Sequence, residues 1–230
     1  MNKISYSQYS MWAQCPHRWK TAYIEGNREF SDNIHTLFGT SMHEVIQAFL
    51  TVMYEDTAKA AEALPLEDML RTRMKRNFEN VLKNNGGEMF CTEKDMVEFY
   101  MHGVEILKFI RKKRAQYFSK KGYELVGIEV PLEYDLPNNI KFIGYIDVVI
   151  KDTVRDVIKI YDIKTSTMGW NKWMKADKNK TDQLLLYKQF YSKQFNHPMD
   201  RIEVEYFIVK RKLYENLDFP QRRVQKFAPA

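Results

Sequence analysis

The sequence predicts a mixed α/β fold, helical first and sheet-forming second, from three observations. Helical spacing of apolar residues dominates the first half, three strand-like segments then follow as a meander, and one helix and one strand close the pattern. With 230 residues the chain can bury one sizeable core, with or without an added subdomain. Residues 5–25 read as a short helix rich in aromatics. Gly39-Thr40-Ser41 reads as a turn, and Ser41-Met42-His43-Glu44 fits a capping box, so a helix is expected from Ser41. Val45, Ile46, Phe49, Leu50 and Met53 give that helix an apolar stripe. Two more helices are expected, from Leu66 to Leu82 and from Glu93 to Ser119, ending before Asn84-Asn85-Gly86-Gly87 and Gly122.

The texture then changes. Tyr123–Leu136 is strand-like, and Pro137-Asn138-Asn139 is a turn. Ile140–Lys151 is apolar on both faces, which marks a central strand. A turn over Asp152–Asp156 leads to a third strand, Val157–Lys164. A basic loop, Thr165–Lys180, precedes a helix over Thr181–Phe195, which Asn196-His197-Pro198 breaks. Ile202–Lys210 is the last strand, and the tail from Pro220 shows no pattern. The order is that of a mixed α/β layer arrangement rather than a doubly wound sheet, and no glycine-rich dinucleotide or Walker loop occurs, so dinucleotide and ATP chemistry have no sequence support.

Charge is unevenly placed. Residues 1–150 hold 19 Lys+Arg against 20 Asp+Glu, whereas residues 151–230 hold 17 against 10. The excess of the +6 net charge in the last third suits a polyanionic partner, although a solvated basic face would look the same. No apolar run approaches the roughly 20 residues of a membrane helix. Met1–Gln14 lacks the apolar core of a signal peptide. Cys15 and Cys91 make neither a disulfide framework nor a four-cysteine metal site, and a cytoplasmic location with reduced thiols is expected.

The chemistry concentrates around Asp147 and Asp162-Ile163-Lys164. Alternation along a strand puts Asp162 and Lys164 on one face and Ile163 on the other, in the core. If the second and third strands pair as a hairpin, Asp147 can lie beside Asp162. Two adjacent carboxylates repel unless a cation joins them, and oxygen donors suit Mg²⁺ or Mn²⁺. An ammonium nearby can orient a water or bind negative charge developing on a phosphate. A lone D-x-K is more often a salt bridge, but these strands are strongly apolar, and charges embedded in them need partners. Gln183 and Tyr187, four apart, share one helix face and can support such a site. His43 is a further metal-ligand candidate. The following loop mixes Trp170 and Trp173 with Lys172 and Lys175, side chains suited to stacking on bases and contacting phosphates. Each of these alone also fits an ordinary amphipathic helix, a structural histidine or a loop that covers the core.

Together these pieces resemble the PD-(D/E)XK nuclease superfamily, in its RecB-like branch, which includes the exonucleases of CRISPR adaptation. The segment from Ser5 to Trp19, with Cys15-Pro16, is similar to that branch's opening, and Gly39-Thr40-Ser41-Met42-His43 to its G-x-x-x-H element. Gly144-Tyr145-Ile146-Asp147 resembles its G-x-x-D motif, Asp162-Ile163-Lys164-Thr165-Ser166 its D/E-x-K-T/S motif, and Gln183 with Tyr187 its Q-x-x-x-Y motif. The resemblance implies a restriction-endonuclease-like core, an α-β-β-β-α-β mixed sheet flanked by helices. An N-terminal helical region (1–92) would carry the histidine, residues 93–212 would form the nuclease core, and 213–230 a tail. It implies that His43, Asp147, Asp162 and the Ile163 carbonyl hold the metal, that Lys164 activates or orients water, and that Gln183 and Tyr187 support the site or contact DNA. Thr165, Ser166, Trp170, Lys172, Trp173 and Lys175 are the expected DNA contacts.

Two departures stand out. Many relatives hold an iron–sulfur cluster with four cysteines, but no cysteine follows Cys91, so none is expected here and Cys15 should pack as a small buried residue. The acid of the D/E-x-K motif is Asp162, one methylene shorter than the commoner Glu. The implied activity is a Mg²⁺- or Mn²⁺-dependent exonuclease acting on DNA ends or single strands in recombination, repair or phage DNA metabolism, alone or with a recombination or replication protein. An endonuclease with structure or sequence preference, and a binding module that does not cleave, are the alternatives.

Overall fold

The structure, a computed structural model, describes residues 2–27, 33–214, 218 and 220–229. The aromatic-rich opening is broken by its own proline. Strand β1 (Asn2–Ile4) leads to α1 (Tyr6–Gln14), and Cys15 then takes an extended backbone, as a residue before proline must. Pro16 starts α2 (Pro16–Trp19), which runs into a π-helical turn over Lys20–Ile24. Cys15 is exposed rather than buried, its Sγ accepting from the Arg18 N–H at the start of α2.

Helix α3 (Ile34–Glu55) begins seven residues before the expected start at Ser41. Asn33 caps it by accepting from His35 and Thr36, and Thr36 completes the capping box. Gly39-Thr40-Ser41 is therefore helix interior, not a turn. The Ser41 hydroxyl donates to the Leu37 carbonyl one turn back, the bond that lets a serine sit inside a helix. Two short turns of α4 (Ala58–Ala63) precede α5 (Leu66–Asn84) and α6 (Glu93–Tyr117), both close to their expected spans.

Strands β2 (Tyr123–Leu136) and β3 (Ile140–Asp152) form a long hairpin, its turn made by Asn138 and Asn139 in left-handed backbone. Strand β4 (Val157–Ser166) pairs antiparallel with β3, and β5 (Ile202–Lys210) pairs parallel with β4. The basic loop is shorter than its sequence suggests: it holds a one-turn helix, α7 (Lys172–Ala176), and α8 (Lys178–Phe195) starts at an Asp177 cap. The tail, expected to be patternless, adds an edge strand β6 (Val224–Phe227) antiparallel to β5, while residues 215–217, 219 and 230 lie outside the described part. Among the described residues the sheet is mixed, with order β1-β3-β4-β5-β6 and β2 along the other side of β3.

Helices cover both sheet faces. On one, α3, α5 and α6 pack Phe38, Ile46, Phe49 and Ile110 against Val148, Tyr161, Ile163 and Phe207. On the other, Leu184, Tyr187 and Phe190 of α8 pack against Phe142, Ile146, Ile160 and Tyr206. Each fully buried side chain of this size contributes about 1.5–3 kcal/mol. Among the described residues no helix is long and apolar enough to cross a membrane.

Strand alternation fails at one point. Residues two apart should share a face, yet Ile146 joins the α8 core and Val148 the α3 core. The partner strand breaks at the same level, with Val130 against one core, Ile128 against the other, and Glu129 between them at φ 49°. Asp147 and Glu129 thus belong to neither core. Here β4 also parts from β3: their pairing ends at Val148 and Tyr161, leaving the β3-facing edge of Asp162–Ser166 without a backbone partner from β3.

At the far end of β4, Glu203 is held by Arg155 and Lys159, and Arg155 foremost draws its carboxyl down to about 2. Because the folded value lies below the ordinary 4.5, this stabilisation is present above about pH 4.5 and is lost as pH falls towards 2. Glu203→Gln should therefore lower stability at pH 7, by less than about 1 kcal/mol for so exposed a cluster. The difference from the native protein should vanish in urea melts near pH 2. A difference independent of pH would contradict this assignment.

Candidate active site

The parting of β3 and β4 leaves backbone groups of β4 that side chains satisfy instead. The Ile163 N–H donates to Asp147 Oδ2 at 2.6 Å, replacing the missing ladder bond. The Ile163 carbonyl lies 2.6 Å from His43 Nε2, which reaches it from α3, and the same nitrogen is 3.0 Å from Asp147 Oδ2. Glu129 completes the cluster: ligand atoms of His43, Glu129 and Asp147 all lie within 4.8 Å of one another. Gln47, one turn after His43 on α3, holds Glu129 by donating to its Oε1 at 2.5 Å.

Asp162 lies outside that tightest group and turns to Lys164, whose Nζ is 2.7 Å from Oδ1. The contact pairs the charges without hydrogen-bond geometry, so Asp162 Oδ1 is a buried oxygen with no hydrogen bond among the described residues. Burial raises the Asp162 carboxyl to about 6; Lys164 opposes that rise and Asp147 adds to it. Burial would lower the Lys164 ammonium, but Asp162 and Asp147 outweigh it and hold the lysine charged. Burial likewise works against a His43 proton, yet the Asp147 carboxylate and the Ile163 carbonyl raise its affinity. A proton on Nε2 thus occupies a spot lined by oxygens.

These donors fit a hard divalent cation. Neighbouring ligands of an octahedral ion at 2.0–2.1 Å stand about 3 Å apart, and opposite ones about 4.2 Å. His43 Nε2 stands 3.0 Å from Asp147 Oδ2, at the shorter edge, and 2.6 Å from the Ile163 carbonyl, just inside it, and the three carboxylates exceed the charge that Lys164 can balance.

Helix α8 supplies the next layer. Gln183 donates to the Tyr187 hydroxyl at 3.1 Å, and burial raises that phenol. The glycine of Gly144-Tyr145-Ile146-Asp147 makes room for it: a Cβ at Gly144 would stand 3.1 Å from the Tyr187 ring. Gly39, inside α3, plays the same part, since a Cβ there would meet Thr165 Oγ1 at 3.2 Å.

The expected DNA contacts divide. Trp170 is a correction: it is buried, packs at a tilt against Tyr206 and Phe227, and its backbone exchanges hydrogen bonds with the Gln225 amide, so the indole is core and leaves little surface for a base. Trp173 is 73% exposed, with the Lys172 ammonium over its ring, whereas Lys175 lies over Phe227. Ser166 closes a local turn by bonding to Gly169, and Thr165 faces a cavity beside Lys164. Sequence reasoning missed Glu129 altogether, and its signal was faint: one acid in a strand where polar residues alternate anyway.

A model of the PD-(D/E)XK nuclease superfamily matches residues 3–229. A crystal structure from Eubacterium rectale, described as that of a candidate exonuclease, superposes with TM-score 0.56 at 14% identity, covering 99% of this chain and 72% of that one. No curated protein matches the chain in sequence.

Proposed function

Because the chain belongs to the PD-(D/E)XK nuclease superfamily, we propose that it is a Mg²⁺- or Mn²⁺-dependent exonuclease acting on DNA ends. One observation carries this reading: His43 Nε2, Asp147 Oδ2 and the Ile163 carbonyl converge where the β3–β4 ladder stops, next to the Asp162–Lys164 pair. His43, Asp147, Glu129 and the Ile163 carbonyl would hold the ion, with Asp162 turning from Lys164 to join them. When bound, a divalent ion acidifies water and offsets charge on the phosphate. Lys164, 37% exposed, is placed to hold the attacking water or the phosphate oxygen on which charge builds. Tyr187 and Gln183 fix the α8 side, and the Lys172–Trp173 turn offers a cation and a stacking surface to the strand. The E. rectale protein's description as a candidate exonuclease supports action at ends.

The test is degradation of end-labelled linear DNA beside closed circular DNA, with Mg²⁺, Mn²⁺ or EDTA. Metal-dependent loss of the linear form alone is the expected result. Cutting of the circle would replace the reading by an endonuclease, and binding without cleavage under either metal would leave a non-cleaving module.

A further inference from the structure

Beside the metal centre lies a cavity of about 410 Å³ between the first turns of α3 and the C-terminal end of β4. His43 and Ile163 of the metal cluster line it, and so does Arg211. Its wall carries two cations, two histidines and five hydroxyl side chains, and no carboxylate. Away from the His43–Ile163 edge shared with the metal cluster, that composition favours an anion.

Arg211 is an unusual residue to find there. It is 7% exposed, and its guanidinium lies over the Phe99 ring at 3.9 Å. Nη1 donates to Glu98 Oε1 at 2.9 Å and to His102 Nδ1 at 3.0 Å, while the buried Nε has no partner among the described residues. Glu98 is shared with Lys212 at 2.9 Å, so one carboxylate serves two cations and the group keeps a net positive charge. Its main chain is pinned as well, since the Arg211 N–H donates to the Ser166 carbonyl at 2.8 Å. The hydroxyls of Thr165 and Thr167, on the same wall, make no hydrogen bond among the described residues. A buried guanidinium with a spare donor, next to two free hydroxyls, is a built receptor for a tetrahedral oxyanion.

We propose that this cavity is a phosphate subsite for the bound strand, distinct from the scissile position, and that Arg211 determines its specificity. The proposal rests on the reading of the chain as a nucleic-acid-cutting enzyme. The phosphate comes either from a phosphorylated terminus or from an internal linkage neighbouring the one cut. Glu98 competes with it for the guanidinium.

The experiment measures binding of fluorescent oligonucleotides by anisotropy in EDTA, so that affinity is read without hydrolysis. The probes carry a 5′-phosphate, a 3′-phosphate, no terminal phosphate, or one neutral methylphosphonate linkage near the end. The native protein should favour one charged probe over its uncharged counterpart by about tenfold, the size of one charge-assisted contact. Preference for a phosphorylated end identifies a terminal phosphate, and sensitivity to the neutral linkage alone identifies an internal one. In Arg211→Gln the ratio should fall to within about twofold, with a shallower salt dependence. In Glu98→Gln, an exposed substitution, the ratio should rise, because the guanidinium loses its competitor. A structural role for the Arg211–Glu98 pair would weaken binding of all probes alike in both variants. Native ratios all near one, or a native ratio kept by Arg211→Gln, would overturn the subsite. If the probes discriminate but no DNA is cut with any metal, the nuclease reading fails and the subsite stands.

Discussion

Asp147→Asn is expected to reduce DNA cleavage by at least roughly 10³-fold, because it removes a charge from the centre that both holds the ion and closes the strand fork. The carboxylate has two tasks: it faces His43 Nε2 at 3.0 Å and accepts from the Ile163 N–H at 2.6 Å. Asparagine keeps an oxygen for the Ile163 amide while losing the charge and exchanging the second oxygen for a donor. The fold should therefore survive, and relief of repulsion from Glu129 should offset the lost attraction to His43. A native protein that binds the ion gains thermal stability as ion is added, by mass action. The variant should melt within a few degrees of the metal-free native protein, as roughly 1 kcal/mol corresponds to 2–4 °C at this size, and should lose the rise on adding Mg²⁺ or Mn²⁺. Cleavage within about tenfold of native would remove Asp147 from the centre.

The second large effect is expected at Glu129. Its carboxylate is held by Gln47 and aimed at His43 and Asp147, while its backbone sits at φ 49°, a conformation costing a residue with a Cβ roughly 1 kcal/mol. Strain at a group pointing into a charged cluster suggests that the position is kept for its side chain. Glu129→Ala should raise the metal concentration needed for half-maximal cleavage by roughly 10–100-fold, with activity recovering at high metal. Glu129→Gly should lose activity likewise and be at least as stable as the alanine variant, by up to roughly 1 kcal/mol, since glycine accepts this backbone. A native metal requirement in both variants would make the strain merely architectural.

These two positions also mark how far the sequence could be read. Strands β2, β3 and β5 were legible almost to the residue, because long apolar runs ended at Asn138-Asn139, at Asp152–Asp156 and at Asn196-His197-Pro198. The start of α3 was not, since Ser41 and Glu44 imitate a cap and Asn33 is a quieter signal. Strands β1 and β6 escaped because three or four residues on a sheet edge carry no periodicity of their own. Within the site, Asp147, Asp162 and Lys164 announced themselves as charges in apolar strands. Glu129 did not, because the break in alternation that aims it depends on both strands of the hairpin and on the two cores they serve. Trp170 was misjudged for a related reason: its partners, Tyr206 and Phe227, lie on strands that come later in the chain.

The strand fork has one more consequence. Along most of β4 an amide proton is shielded by a neighbouring carbonyl, and its exchange with solvent reports the opening of the sheet. At Ile163 the shield is the side-chain carboxylate of Asp147, so exchange there reports the hold of that side chain and not the β3–β4 ladder. The same residue offers its carbonyl to His43, which ties α3 to β4 through one peptide unit. A cation taking Asp147 Oδ2 would compete with this one amide for its acceptor, so the Ile163 N–H would report ion binding at the cluster from within the chain.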